Sequence, residues 1–369
     1  MKLRCGIVGL PNVGKSTLFN ALTSSSQANA ENYPFCTIEP NIGVVAVPDD
    51  RINKLAEIVG SKKTILAQIE FVDIAGLVKG ANKGEGLGNK FLSHIREVDA
   101  IVYILRCFED DDVTRVEGKV DSLRDSEIIE TELILADIES LNKQLTYAEK
   151  KARQDRSYAD QIVLIKEILE LLNSGKPTRL FMNDNNEQEI KTLNLLTSKP
   201  FFYICNVEEG SVASGNKFTG IIESKATEQN TVSINISAKI EEEIANLSEE
   251  DEKEEFLQSL GLQESGLNRA INAGYKILNL STYFTAGPKE ARAWTFKNGM
   301  NAQQTAGIIH TDFEKGFICA ECISYNDYVQ FNGEQGAKEA GKLRQEGKDY
   351  IVQDGDVMLF RFNVPSSKK

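Results

Sequence analysis

No stretch of this 369-residue chain approaches the roughly 20 consecutive apolar residues that a bilayer-spanning helix requires, so no membrane partner is expected. The opening Met1-Lys2-Leu3-Arg4 runs straight into an apolar segment, and no signal peptide is expected. Histidine is scarce, with two in the chain, and the six cysteines are scattered, which favours reduced thiols and a cytoplasmic protein. Cys319 and Cys322 form one C-x-x-C pair with no second pair, and His310 alone does not complete a zinc site. That pair reads as structural, with a redox role as the minor alternative. Positive charge is also in deficit. A net charge of −13 argues against broad non-specific nucleic-acid binding while leaving room for a local basic patch, and DNA is not an expected partner. The acidic runs Glu109–Asp112 and Glu249–Glu252 read as solvated loops or helix ends. What remains, 41% hydrophobic and 26% charged residues, is ordinary globular composition, with length for two or three domains.

Residues 9 to 16 read Gly-Leu-Pro-Asn-Val-Gly-Lys-Ser, a complete G-x-x-x-x-G-K-S phosphate-binding loop. It follows the apolar run Cys5–Val8 and opens into the helix-forming Thr17–Leu22, the strand–loop–helix setting that gives the motif meaning. The N–H groups of Asn12, Val13, Gly14, Lys15, Ser16 and Thr17, backed by a helix N-terminus, are placed to point at phosphate oxygens. Lys15 reaches the β- and γ-phosphates, and the Ser16 hydroxyl is a ligand for Mg2+. The chain binds a nucleoside triphosphate.

Apolar, β-branched runs recur at Cys5–Val8, Gly43–Val47, Ile69–Asp73, Ala100–Arg106, Phe201–Asn206 and Thr231–Ile236, with helical patterns between most of them. This predicts an α/β fold with a mostly parallel sheet. The 94 residues between Arg106 and Phe201 exceed what a crossover helix needs. Within them Ile134, Ile138, Leu141, Leu145, Ala148 and Ala152 follow a heptad seam, and Ile162, Ile165, Leu169 and Leu172 resume it after the polar stretch Arg153–Asp160. The spacing predicts an antiparallel coiled-coil hairpin. Its tip carries Lys150, Lys151, Arg153 and Arg156, which serve either as a solvated tip or as a contact for RNA or another partner. From about Leu280, short strands at Thr282–Thr285, Ala291–Phe296 and Val357–Phe362, with a helix at Ala302–Ile309, predict an α+β module of roughly 85 residues. The expected domains are a nucleotide-binding unit of 1–125 and 200–279, a helical insertion of 126–199, and a C-terminal module of 280–365.

Asp73-Ile74-Ala75-Gly76 ends an apolar strand, the position for an Asp that holds Mg2+ through water and a Gly whose N–H senses the γ-phosphate. Thr37, between the loop and that strand, is placed to complete the metal shell when γ-phosphate is present. Lys15, Thr37 and Gly76 are therefore the candidate catalytic residues. Leu77 follows where Ras-type enzymes place a water-orienting glutamine, so hydrolysis is slow alone or is completed by another group. Gly80–Gly88, with four glycines, reads as a switch. Guanine-specific enzymes carry N-K-x-D, whereas this chain has Asn206-Val207-Glu208-Glu209. Val207 lacks the lysine stem that packs on the base. Glu209 is one methylene too long for the bidentate contact to guanine, which removes a penalty against adenine. Ser237-Ala238-Lys239 stands where the base-supporting loop belongs.

Together these residues resemble the Obg-related, YchF-type Obg-like ATPases over nearly the whole chain. The resemblance is carried by Gly9–Ser16, Asp73–Ala81, Gly84–Asn89, the N-x-x-E form at Asn206–Glu209, and the C-terminal Phe284–Glu290 and Asp354–Asp356. It implies a P-loop GTPase-like sheet interrupted by the coiled coil and followed by a ubiquitin-like TGS domain. It also implies Mg2+-dependent ATP hydrolysis with GTP weaker, association with the ribosome (the large subunit or its RNA), and regulation of translation or stress responses. A nucleotide-gated ribosome- or RNA-binding scaffold with incidental hydrolysis, and a GTP-preferring GTPase, are the alternatives. Leu77 becomes a family feature under this resemblance. Asn12 matches the P-loop asparagine that binds potassium in some related enzymes, which leaves K+ open as a second cation. Arg115 stands before Val116-Glu117-Gly118-Lys119-Val120 where members often carry histidine. It could stabilise transition-state charge but not act as a base at neutral pH.

Overall fold

The structure, a computed structural model, describes residues 3–27, 41–74, 87–109, 120–155, 157–247 and 249–363. Thr37, Gly76, Leu77, Gly80–Gly86, Arg115 and Arg156 lie outside the described residues. The apolar runs form strands β1 (Arg4–Gly9), β2 (Ile42–Ala46), β3 (Thr64–Ile65), β4 (Gln68–Asp73), β5 (Ala100–Arg106), β6 (Phe201–Asn206) and β7 (Ser233–Ile236). The sheet order is β2-β4-β1-β5-β6-β7; every neighbouring pair is parallel except β2 with β4, which is antiparallel. Side chains alternate between two cores with the strand period of two. On β5, Val102 and Ile104 enter one core with Ile7, Phe202 and Ile204. Ile101, Tyr103 and Leu105 enter the other with Val8, Tyr203 and Cys205. Helices α1 (Lys15–Gln27), α2 (Arg51–Val59) and α3 (Leu87–Glu97) connect the early strands.

The long crossover is a helical hairpin of α4 (Ser122–Ala152) and α5 (Tyr158–Asn173). Its seam packs Ile134 and Leu141 of α4 against Leu164, Ile165, Ile168, Leu169 and Leu172 of α5. Helix α4 crosses the expected boundary at 125–126 without a break. Its first turns put Ile129, Leu133 and Ala136 into the sheet's second core, so one helix serves both units. The chain returns through the short α6 (Glu187–Thr192) to the hairpin's base. There the buried carboxylate of Asp137 accepts from Leu196 N–H (2.9 Å), Thr197 N–H (2.8 Å) and the Thr197 hydroxyl (2.7 Å). Burial raises the pKa of that carboxyl, and these donors oppose the shift. Helices α7 (Lys217–Glu228), α8 (Ala238–Asn246), α9 (Glu250–Ser259) and α10 (Gly266–Ile277) complete this half.

The C-terminal module contains β8 (Leu280–Ala286), β9 (Ala291–Lys297), α11 (Ala302–Ile309), α12 (Thr311–Lys315), β10 (Phe317–Ser324), α13 (Tyr325–Gln330), α14 (Glu334–Glu339), β11 (Arg344–Glu346) and β12 (Asp356–Phe362). Its sheet, in the order β11-β10-β12-β8-β9-β3, takes its last strand from the nucleotide-binding half. Thr64 and Ile65 of β3 lie parallel to Ala291 and Arg292, and Ala291 N–H donates to the Lys63 carbonyl at 2.9 Å. The preceding α2 seats Ile52 and Leu55 in a core shared with Phe284, Ala293 and Val357. The Arg51 guanidinium bonds Asp354 at 2.7 Å and lies 5.2 Å from the Phe284 ring centroid. Cys319 and Cys322 sit three residues apart on β10, on opposite faces of the sheet and roughly 10 Å apart, beyond disulfide reach. Burial, with Asp356 nearby, pushes the Cys322 thiol up to about 12, which disfavours a reactive thiolate at that position.

Asp137→Ala leaves two buried N–H groups without acceptors, at a cost of about 3 kcal/mol. Hydrogen exchange should therefore accelerate across residues 195–199 and the hairpin base while the phosphate loop keeps its protection. Unchanged exchange at 195–199 would show that the carboxylate does not hold the hairpin base.

Candidate nucleotide-binding site

The C-terminal ends of β1, β4, β5, β6 and β7 converge on one edge of the sheet. Strand β1 lies between β4 and β5; the chain runs from β1 to the β2–β4 side and later crosses from β4 past β1 to β5, and the phosphate loop occupies that switch point. The loop is shaped by Asn12 (φ 63°) and Gly14 (φ 91°), both in the left-handed region that asparagine and glycine tolerate. A Cβ on Gly14 would stand 2.3 Å from the Asn206 amide nitrogen, so that position is restricted twice over. Lys15 begins α1, Ser16 is exposed at the first turn, and Thr17 is half-buried behind it. Val13 is buried and anchors the loop in the first core.

The Lys15 ammonium pairs with the Asp73 carboxylate, which reaches it from the end of β4. Both groups are largely shielded, at 12% and 18% exposure, so the pair is held in a low-dielectric corner beside Ser16. Asp73 N–H donates to the Asn41 carbonyl at 2.8 Å, fixing the strand end. Among the described residues no three His, Cys, Asp or Glu side chains converge to cage a metal. One hydroxyl and one carboxylate at the mouth of a phosphate loop are instead the hard oxygen donors that suit Mg2+, whose shell water and phosphate complete.

Asn206, 6% exposed at the end of β6, connects two parts of the site. Its Nδ2 donates to the Val13 carbonyl at 2.9 Å, and its Oδ1 accepts from Ala238 N–H at 3.0 Å. Ser237 caps α8, its hydroxyl accepting from Ile240 N–H. Val207 is 2% exposed and packs into the second core, so its side chain lies beneath the base-side loop rather than on its surface. The exposed Glu209 carboxylate pairs with Lys239, which raises the lysine's pKa. Sequence reasoning missed Asn216 here. Its amide donates to the Cys107 carbonyl at 2.7 Å and reaches Glu208 at 3.2 Å, tying the base-side loop to the end of β5. The available signal was its place three residues before Thr219, where the two form a capping box at the start of α7.

The structure thus brings together Asn12, Val13, Gly14, Lys15, Ser16, Thr17, Asp73, Asn206, Val207, Glu209, Ser237, Ala238 and Lys239 along one sheet edge. Thr37, Gly76 and Arg115 lie outside the described residues.

Comparison with known proteins agrees with this geometry. Residues 4–137 match a family described as 50S ribosome-binding GTPase, and residues 280–363 match the YchF-GTPase C-terminal family, described as a protein of unknown function. The chain is 55% identical to the ribosome-binding ATPase YchF of Bacillus subtilis, covering 99% of this chain and all of that protein. It is 53% identical to the protein of the same name from Escherichia coli O157:H7, again over 99% of this chain. The solved structure of the Schizosaccharomyces pombe YchF GTPase superposes with a TM-score of 0.88 at 39% identity, covering 98% of each chain.

Asn206→Ala removes both bridging hydrogen bonds and leaves the Val13 carbonyl and Ala238 N–H unpaired. At roughly 1–3 kcal/mol for each stranded group, nucleotide affinity should fall by at least about tenfold. Calorimetric titration beside a circular dichroism spectrum checks this, and undiminished affinity would show that the amide does not organise the site.

Proposed function

The chain belongs to the YchF family of Obg-related P-loop nucleotide hydrolases, and from that premise we propose that it is a Mg2+-dependent ATPase working as a nucleotide-gated switch on the ribosome. The observation that carries the reading is the meeting of Lys15 and Asp73 at the mouth of the phosphate loop. It puts the phosphate-binding cation and the metal-side carboxylate in one shielded corner.

In this reading the loop amides from Asn12 to Thr17 and the Lys15 ammonium hold the phosphates. Ser16 and Thr37 would hold Mg2+, with Asp73 supporting it through water. When bound, the metal neutralises charge on the β- and γ-phosphate oxygens. The Asp73 carboxylate orients the Lys15 ammonium towards the place where negative charge builds on the transferred group. Gly76 N–H senses the γ-phosphate. Leu77 supplies no proton acceptor or donor to the attacking water, so turnover is slow until a partner or another group such as Arg115 completes the site. Asn206, Val207 and the Ser237–Lys239 loop frame the base. Val207 offers no cationic stem to lay over a base, and Glu209 is one methylene too long for the bidentate contact that guanine requires, which favours adenine. Asn12 marks a place for K+ beside the phosphates. The domain scheme is a nucleotide unit of 1–125 and 200–279, the hairpin, and a TGS module of 280–365.

The names of the relatives support ribosome association, with the large subunit or its RNA as the proposed contact. Regulation of translation or of stress responses in the cytoplasm is the proposed setting. Among the described residues no helix is long and apolar enough to cross a membrane.

Lys15→Ala should abolish ATP hydrolysis, a loss of at least about a hundredfold, and EDTA should do the same to the unaltered protein. Wild-type turnover in the variant would remove the site assignment. In a separate titration ATP should bind more tightly than GTP, and tighter GTP binding would refute the base reading. Added ribosomes should accelerate turnover, whereas unchanged slow turnover would favour a scaffold with incidental hydrolysis. Replacing KCl by NaCl should slow the reaction if Asn12 holds potassium.

A further inference from the structure

The end of the helical hairpin carries a surface that the nucleotide chemistry does not use. On α4, Lys143, Tyr147, Lys150 and Lys151 recur at i, i+4, i+7 and i+8, one face of a helix. Tyr147 is 57% exposed although an apolar seam lies within reach. Its ring meets that of Tyr158 edge-on at 6.5 Å between centroids, and the Lys151 ammonium stands 5.7 Å from its centroid. Arg153, also exposed, closes the tip. Residues 143–157 hold five cationic side chains against two acidic ones, in a chain of net charge −13. Both acidic groups are engaged: Glu149 pairs with Lys166 at 3.3 Å, and Asp155 accepts from Ser157 N–H at 2.9 Å. Among the described residues no carboxylate pairs with Lys150, Lys151 or Arg153.

Distance frees this patch from the acidic body. Ala136 is the last α4 residue in the sheet's core, and α4 runs on to Ala152, a reach of about 24 Å. That is about three Debye lengths at physiological salt, so the body's negative charge is screened at the tip. Lysines at a helix C-terminus also offset its dipole. That explains Lys150 and Lys151 but neither Arg153 beyond the helix nor the exposed Tyr147.

We propose that the hairpin tip is an RNA-binding surface, with Lys150, Lys151 and Arg153 on backbone phosphates and Tyr147, steadied by Tyr158, stacking on an unpaired base. The proposal rests on the reading above that the protein acts on the ribosome, and names the part of it that touches RNA.

The test uses full-length protein carrying Lys150→Glu, Lys151→Glu and Arg153→Glu together, a separate Tyr147→Ala variant, and Lys338→Glu as a remote charge control. Each is sedimented with intact ribosomes and with deproteinised large-subunit RNA over a range of KCl. ATP turnover without ribosomes should be unchanged in all, reporting an intact fold. The triple variant should bind both probes at least tenfold more weakly, with the slope of log affinity against log salt reduced by roughly two to three. Tyr147→Ala should weaken binding severalfold without changing the slope, and Lys338→Glu should bind like the unaltered chain. Undiminished binding by the triple variant overturns the proposal. So does a loss seen on ribosomes but not on naked RNA, which would make the partner a ribosomal protein. If the unaltered chain ignores ribosomes yet binds naked RNA through the tip, the ribosome reading fails and the RNA surface stands.

Discussion

The side-chain amide of Asn206 hydrogen-bonds in two directions at once, donating to the Val13 carbonyl in the phosphate loop and accepting from Ala238 N–H at the start of α8. The three segments it joins come from near residues 13, 206 and 238, and no backbone ladder connects the loop to α8. A buried polar group must be satisfied or it costs stability, so each partner enforces the position of the others. Gly14 shows how tight the arrangement is, because the amide stands where its Cβ would be. The phosphate side and the base side of the site are therefore one rigid piece.

The moving information must enter elsewhere, and the chain path between Asn41 and Asp73 is where the structure concentrates its external connections. Asp73 pairs with Lys15, and its N–H bonds the Asn41 carbonyl. Between these two residues the chain makes the excursion through α2 and β3, which supplies an edge strand and an apolar face to the C-terminal module. On the opposite side of the sheet, Phe91, Leu92 and Ile95 of α3 pack in one core with Ile129 and Leu133 of α4, the helix that extends into the hairpin. The C-terminal module thus attaches through elements that precede Asp73 in sequence, whereas the hairpin attaches through the first turns of α4 itself, which pack directly on the sheet. Close-packed interfaces of this kind shift between discrete arrangements rather than deforming smoothly.

Much of this was legible in the sequence because local rules agree with the final packing. The phosphate loop has a local signature, and the strands alternate between two cores as their spacing says. The α4 seam from Ile134 through Leu141 is a heptad pattern that a neighbouring helix can satisfy. Other features escaped for physical reasons. Strand β3 is two residues long and has no pattern of its own; the partner sheet alone makes it a strand. In β10, Phe-Ile-Cys-Ala-Glu-Cys-Ile-Ser mixes polar and apolar residues, so no clean alternation marks it as a strand. Helix α4 begins well before the hairpin seam, because its first turns carry apolar residues for the sheet rather than for the hairpin. The base-side network of Glu208, Asn216 and Cys107 spans 109 residues, and no local rule reports a contact of that range.

The proposed preference for adenine has one such long-range contact beside it and does not rest on it. Glu209 and Lys239 are 30 residues apart and meet at the surface, at 47% and 70% side-chain exposure. Ion pairs this exposed contribute little and yield readily to a better partner. The pair therefore cannot by itself keep the carboxylate from a guanine that fits it. Selectivity must rest on what cannot rearrange. Val207 is fixed in the core with no cationic stem to lay over a base, and the extra methylene of Glu209 extends from a backbone pinned beside Asn206. The two hydrogen bonds of Asn206 hold the start of the loop that carries Glu209. In the proposed reading, the amide that joins the phosphate loop to α8 thereby also positions the backbone from which Glu209 extends towards the base.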